Sequence, residues 1–207
     1  MKAVATREIQ RHYDRIAWIY DLVELPMEWL WFRTWRRSTF RWVEGERWLE
    51  VGIGTGKNLP YHPAGGEAVG VDLSPGMLGQ ARRRKNEGPL DLALMDVQAL
   101  GFKSRTFDTV IATLVFCAVP DPVQGLREVR RVLKPNGRAV FLEHVRPGGR
   151  WRGGLFDLLN LLTRYLFGCH LNRPTAENIR KAGFEIEREE CLSAHVVKLI
   201  VAQPEDR

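Results

Sequence analysis

Between residues 46 and 145 the chain alternates short apolar runs with helical segments, and this alternation most constrains its fold. ERWLEVG, EAVGVD, PLDLALMD, FDTVIATLV and GRAVFLEHV are rich in Val, Leu and Ile and suit strands buried on both faces. Helical stretches are expected over 75–86 and 122–133, with a longer one over 155–167. Strand and helix in alternation imply a parallel sheet covered on both sides. Farther on, 174–182 reads as a helix closed by Gly183. GFEIEREECL and HVVKLIVAQ follow with so little between them that they must pair antiparallel. The expected fold is α/β, and 207 residues supply one core rather than two.

Residues 1–44 keep a different rhythm. Ile9, Tyr13, Ile16 and Tyr20 recur at helical spacing and predict an opening amphipathic helix. A second helix is expected over 26–42, with Pro26 in its first turn. Trp31, Trp35 and Trp42 would share one face of it, with Arg33, Arg36, Arg37 and Arg41 opposite. Such a mixture suits a helix lying in a membrane interface, rings at headgroup depth and arginines on phosphates. It equally suits a helix packing its Trp face on the sheet.

Composition narrows the partners. The net charge of +6 favours an anionic surface or an acidic substrate. The basic residues are interspersed with acids, as at Arg7-Glu8 and Arg127-Glu128, so no nucleic-acid partner is expected. Cys117, Cys169 and Cys191 form no CxxC pair, and histidines 12, 62, 144, 170 and 195 form no HxH or HxxxH pair, so no metal is expected. The N-terminal stretch lacks the apolar core of a signal peptide. The charge-free stretch 109–120 is shorter than the about 20 residues of a membrane span. The expected location is the cytoplasm, with peripheral contact to an anionic membrane.

Chemistry enters at EVGIGTG, residues 50–56, where glycines at the end of a buried strand let a ligand approach the backbone. A P-loop is excluded, because Val51 stands at its first glycine and Asn58 at its Ser/Thr. The dinucleotide fingerprint fails too, since Lys57 occupies its third glycine position. Two acids sharpen the reading. Asp72 ends the second strand, 22 residues beyond Glu50, where a carboxylate accepts ribose hydroxyls. Asp96 ends the third, where an adenine amine needs an acceptor.

EVGIGTG, VGVDLSPGML, MDVQAL, FDTVIATLVFCAV and REVRRVLKPNGRAVFLEHV together resemble the class I S-adenosylmethionine-dependent methyltransferases of the UbiE type, closely over 46–145 and in outline beyond. The resemblance implies a Rossmann-like sheet of seven strands with an antiparallel final pair, a lid or interfacial unit at 1–44 and a methyltransferase domain at 45–207. It implies S-adenosylmethionine as cofactor, with Glu50 near the methionine amine and Gly52, Gly54 and Gly56 beneath methionine and ribose. Asp72 would hold the ribose, Leu73 and Met77 would flank the adenine, Asp96 and Val97 would frame its amine, and Thr113 to Val115 would close the site.

Methyl transfer from a sulfonium is an in-line displacement, so the protein must chiefly position the acceptor and exclude water. A base is needed only for a protonated acceptor. His144 at the end of the fifth strand is the candidate base; Tyr13 and Tyr20 could hold a cationic amine by cation–π contact. Arg164 and Arg173, in and after the apolar insert, suit an anionic group such as phosphate. YDRIAWIYD, FLEHV and GCHLNR resemble the bacterial phosphatidylethanolamine N-methyltransferases and the membrane-bound thiol methyltransferases. The expectation is N-methylation of a phospholipid headgroup. Small-thiol S-methylation, methylation of a quinone precursor or other small lipophilic molecule, and a non-catalytic cofactor-binding protein are the alternatives.

Overall fold

The computed structural model describes residues 2–84, 88–145, 170, 172–193 and 196–205. Seven strands are built as β1 Arg47–Val51, β2 Glu67–Asp72, β3 Leu90–Leu94, β4 Phe107–Thr113, β5 Leu133–His144, β6 Phe184–Ser193 and β7 Val197–Pro204. They form one sheet in the order β3-β2-β1-β4-β5-β7-β6. The first five run parallel, and β7 pairs antiparallel with both β5 and β6. This is the expected Rossmann-like sheet with its antiparallel final pair. The order reverses between β1 and β4, which puts the crevice for a ligand at the carboxyl ends of those strands.

The helices are α1 Lys2–Ile16, α2 Tyr20–Met27, α3 Arg33–Phe40, α4 Pro75–Ala81, α5 Pro122–Val132 and α6 Thr175–Lys181. Strand alternation sorts the core into two layers. Leu49, Val51, Val110, Ala112 and Phe141 pack towards α5 and α6, with Leu126, Val129 and Ile179. Trp48, Ile111, Val140 and Val201 face Phe40 of α3. Ser74 caps α4 by accepting from the Met77 amide at 3.1 Å, and Asp121 caps α5 by accepting from Gln124 at 3.0 Å.

Three expectations are corrected. The second N-terminal helix starts at Tyr20 rather than Pro26, so Pro26 lies inside α2. Proline has no N–H for the carbonyl four residues back, and the chain continues into a π turn, Glu28–Phe32, before α3. The three tryptophans do not share a face: Trp35 is buried, Trp42 half-buried under Arg138 and Arg188, and Trp31 exposed. Helix α4 ends at Ala81, short of the expected 75–86. The helix expected over 155–167 lies outside the described residues.

Candidate functional site

A cavity opens at the carboxyl ends of the parallel strands. Its floor is Gly52 and Gly54, after β1. Both glycines are left-handed, at φ +65° and +58°. A side chain at Gly52 would collide with Val115, 2.4 Å away, whereas Gly54 opens to free space. Val71, Asp72 and Leu73 follow from β2, Met77 from α4, and Met95, Asp96 and Val97 from the end of β3. Thr113, Leu114 and Val115 with Ala118, Val119 and Pro120 form the wall after β4; Ile9, Tyr13 and Tyr20 close the cavity from α1 and α2.

Its two carboxylates are held by amide N–H groups. Asp72 accepts from the amides of Gly54 at 2.8 Å and Ser74 at 2.9 Å. Burial raises its pKa, and these amides act against the rise. Asp96 accepts from the Gln98 amide at 2.8 Å and from the Gln98 side chain at 3.0 Å on each oxygen. Both keep lone pairs for a ligand, and Leu73, Met77 and Val97 supply apolar walls between them.

Helix α1 is strapped across these loops. Asp14 accepts from Ser74 Oγ at 2.5 Å and the Gly76 amide at 3.0 Å, and Gln10 donates to the Leu73 carbonyl at 3.0 Å. Gln98 reaches Thr6 at 3.2 Å. Asp14, Gln10, Ser74 and Gln98 were not singled out from sequence. A short polar residue just before Pro75 at a helix start is the one available signal, for Ser74.

Besides His144, three sequence candidates lie elsewhere. Glu50 shares the Trp48 face of β1, and its fully buried carboxylate does not line the cavity. It meets His62 Nε2 at 2.7 Å and accepts from Asn58 Nδ2 at 2.5 Å. Gly56 packs against Ala81 of α4, 3.2 Å from where its Cβ would stand, and does not line the cavity. Arg173 donates to the Val119 carbonyl at 2.9 Å, so that guanidinium nitrogen serves the cavity wall rather than an anion. Arg164 lies outside the described residues.

Tyr13 and Tyr20 meet edge to face, ring centroids 6.3 Å apart. Lys57 already places its ammonium 5.7 Å from the Tyr20 ring. Burial, then the nearby Glu24 carboxylate, hold the Tyr20 hydroxyl protonated well above its ordinary range, so it donates and does not act as a base.

His144 is not among the residues lining the cavity, and burial pushes its pKa down to about 4. An imidazole so depressed is neutral at pH 7 but a weak base, which removes the advantage expected of it. The unfolded chain takes up the proton near pH 6.5 and the fold only near 4. Relative to His144→Asn, the protein should therefore lose stability as pH falls from about 6.5 towards 4, and not above it. Urea unfolding across pH 4 to 8 checks this, and parallel curves would remove His144 from the acid response.

The profile of a methyltransferase-domain family matches residues 49–141. A phosphatidylethanolamine N-methyltransferase from Cereibacter sphaeroides is 36% identical over 154 residues, covering 69% of this chain and 74% of that protein. The chain belongs to the S-adenosylmethionine-dependent methyltransferases. This methyltransferase is also 35% identical to a ubiquinone/menaquinone biosynthesis C-methyltransferase from Geobacter sulfurreducens, over 69% of this chain and 60% of that one. To a thiol S-methyltransferase from Rattus norvegicus it is 34% identical, over 66% and 59%. It thus spans about three-fifths of the quinone and thiol relatives. The three are named for transfer to nitrogen, carbon and sulfur, so the shared core specifies the donor and not the acceptor. The donor, S-adenosylmethionine, fits a cavity with two carboxylates on either side of an apolar slot and an open glycine floor.

Proposed function

We propose that this methyltransferase N-methylates a phospholipid headgroup, phosphatidylethanolamine, at a membrane surface. The observation that carries the reading is the segment bordering the cavity. Trp18, Leu22, Leu25, Trp29 and Leu30 are 76%, 66%, 57%, 74% and 55% exposed, while Tyr20 between them lines the cavity. Exposed arginines flank this run, Arg11 and Arg15 before it and Arg33, Arg37 and Arg41 after. An apolar belt between rows of arginine matches acyl chains below and phosphates above. No described helix is long and apolar enough to cross a membrane, so the contact is peripheral. The similarity to the Cereibacter enzyme supports the choice of headgroup.

Asp72 holds the ribose and Asp96 the adenine amine, while Gly52 and Gly54 let methionine and ribose lie against the backbone. When bound, the donor supplies a methyl on a sulfonium. Residues 1–44 act as a lid over the domain at 45–207, with Tyr13 and Tyr20 holding the amine between membrane and cavity. Exclusion of water by this lid supports near-attack geometry, worth ~7–11 kcal/mol in well-oriented systems.

S-methylation of small thiols is the second reading, favoured by the thiol relative. Incubation with labelled donor, in parallel with phosphatidylethanolamine vesicles and with a small alkyl thiol, separates the two. Label is expected in the lipid fraction. Label in the thiol alone, or in neither, would sink the headgroup assignment while leaving the family untouched.

A further inference from the structure

Residues 17–32 form an inside-out helical segment. Ala17, Tyr20, Asp21, Glu24, Glu28 and Phe32 recur every three or four residues and face the protein. The apolar positions between them face outward. In an ordinary surface helix the acids would be outside and the leucines within. Here every acid of the segment is spent on the body of the protein, leaving its outer face without negative charge.

The inward acids reach the glycine loop. Asp21 accepts from Thr55 Oγ1 at 2.6 Å and pairs with Arg84, whose Nε donates to the Thr55 carbonyl at 2.7 Å. Glu24 accepts from Lys57 Nζ at 2.8 Å. Glu28 accepts from Arg36 Nε at 3.1 Å, and Arg36 continues to Asn58 at 2.7 Å, which holds Glu50. Thr55 directly follows Gly54 of the cavity floor, Lys57 lies two residues farther along the same loop, and Tyr20 is part of the cavity wall. One segment therefore carries an exposed apolar surface on one side and grips the glycine loop with the other.

From this we infer that docking on an anionic lipid surface and retention of the cofactor are thermodynamically coupled through residues 17–32, with Asp21 and Glu24 as the link. The inference rests on the membrane-surface reading above. Lipid that orders the outer face orders Asp21, Glu24 and Tyr20 against the loop, and a bound cofactor orders the same contacts from within. Each ligand then meets a segment already fixed by the other, and the effect is reciprocal. An enzyme so built captures its donor where its acceptor is, and releases it away from the membrane.

The test uses the whole chain and S-adenosylhomocysteine, which binds without turnover. Its dissociation constant is measured by calorimetry alone and with vesicles of phosphatidylcholine and phosphatidylglycerol, and binding to the same vesicles is followed by co-sedimentation. Vesicles should tighten the ligand by about five-fold or more, and the ligand should tighten vesicle binding by the same factor. Asp21→Asn should still sediment with vesicles but lose this mutual tightening, and Lys57→Met cuts the Glu24 contact as an independent check. Leu22→Ser with Trp29→Ser should lose vesicle binding and keep the lipid-free affinity. Sedimentation with an unchanged dissociation constant overturns the coupling alone. Absence of sedimentation overturns the membrane reading with it. Self-association that Leu22→Ser and Trp29→Ser abolish, without vesicle binding, assigns the face to a second copy of the chain and overturns the lipid.

Discussion

Asp72→Ala should weaken S-adenosylmethionine binding by about 100-fold or more. A carboxylate accepting two ribose hydroxyls makes two charge-assisted hydrogen bonds, each worth about 1.5–3 kcal/mol, and every 1.4 kcal/mol is tenfold in affinity. The same oxygens hold the amides of Gly54 and Ser74, so alanine also loosens the floor and the start of α4. Asp72→Asn separates the two effects: one amide oxygen remains for a backbone N–H, while the charge is gone. It should lie between wild type and alanine in affinity, with a smaller fall in melting temperature. Calorimetry decides, and an unchanged dissociation constant for the alanine variant would remove Asp72 from the site.

The sheet was readable because parallel strands buried on both faces leave long apolar runs, and the final hairpin because its connection is too short for a crossover. Gly52, Gly54, Asp72 and Asp96 were readable for a related reason: each stands at or just past a strand's carboxyl end, where backbone geometry dictates what can line a crevice. Glu50 marks where that logic stops. It too lies near a strand end, but its alternation with Trp48 assigns it to the α3 face, and His62 and Asn58 claim its carboxylate. Pairing between residues on different elements is invisible to local spacing.

The N-terminal segment departs from its sequence pattern for another reason. Proline most often starts a helix, whereas here the helix runs through Pro26 and Asp21 and Glu24 tie it to the protein. An exposed apolar surface beside arginines was legible in composition, but its residues only in part: Trp29 and Trp31 of the expected stretch are exposed. Trp35 and Trp42 went to the protein, and Trp18, Leu22 and Leu25 supply the outer surface instead. An inside-out helix defeats the usual rule because polar and apolar faces exchange roles, and only the positions of Thr55, Lys57 and Arg84 reveal which face is inner.

Glu143→Gln should stabilise the protein relative to wild type above neutral pH and change far less in acid. Glu143 is fully buried. Its Oε1 accepts from the amides of Val115 at 2.8 Å and Phe116 at 2.9 Å, while Oε2 has no hydrogen-bond partner among the described residues. Burial pushes its pKa up to about 7, against the pull of those amides and of the Arg173 charge. Between about pH 4.5 and 7 the folded chain keeps a proton that the unfolded chain has released, so stability falls as pH rises through that window and is level beyond it. At 1.36 kcal/mol per unit the loss approaches about 3 kcal/mol. Glutamine keeps the accepting oxygen and cannot ionise, so its advantage over wild type should grow by about that amount from pH 4.5 to 8. His144 titrates in both proteins and cancels from the difference. Glu143→Ala should lose about 3–5 kcal/mol near pH 4.5, because two buried amides lose their acceptor and a cavity is left behind, and this deficit should shrink by about 3 kcal/mol towards pH 8 as wild type ionises. Leu114, held left-handed at φ +58°, loses its neighbours' anchor as well. Denaturant titrations at several pH values test both variants, and glutamine and wild-type curves that stay parallel from pH 4.5 to 8 would show that Glu143 does not ionise within the fold over that range.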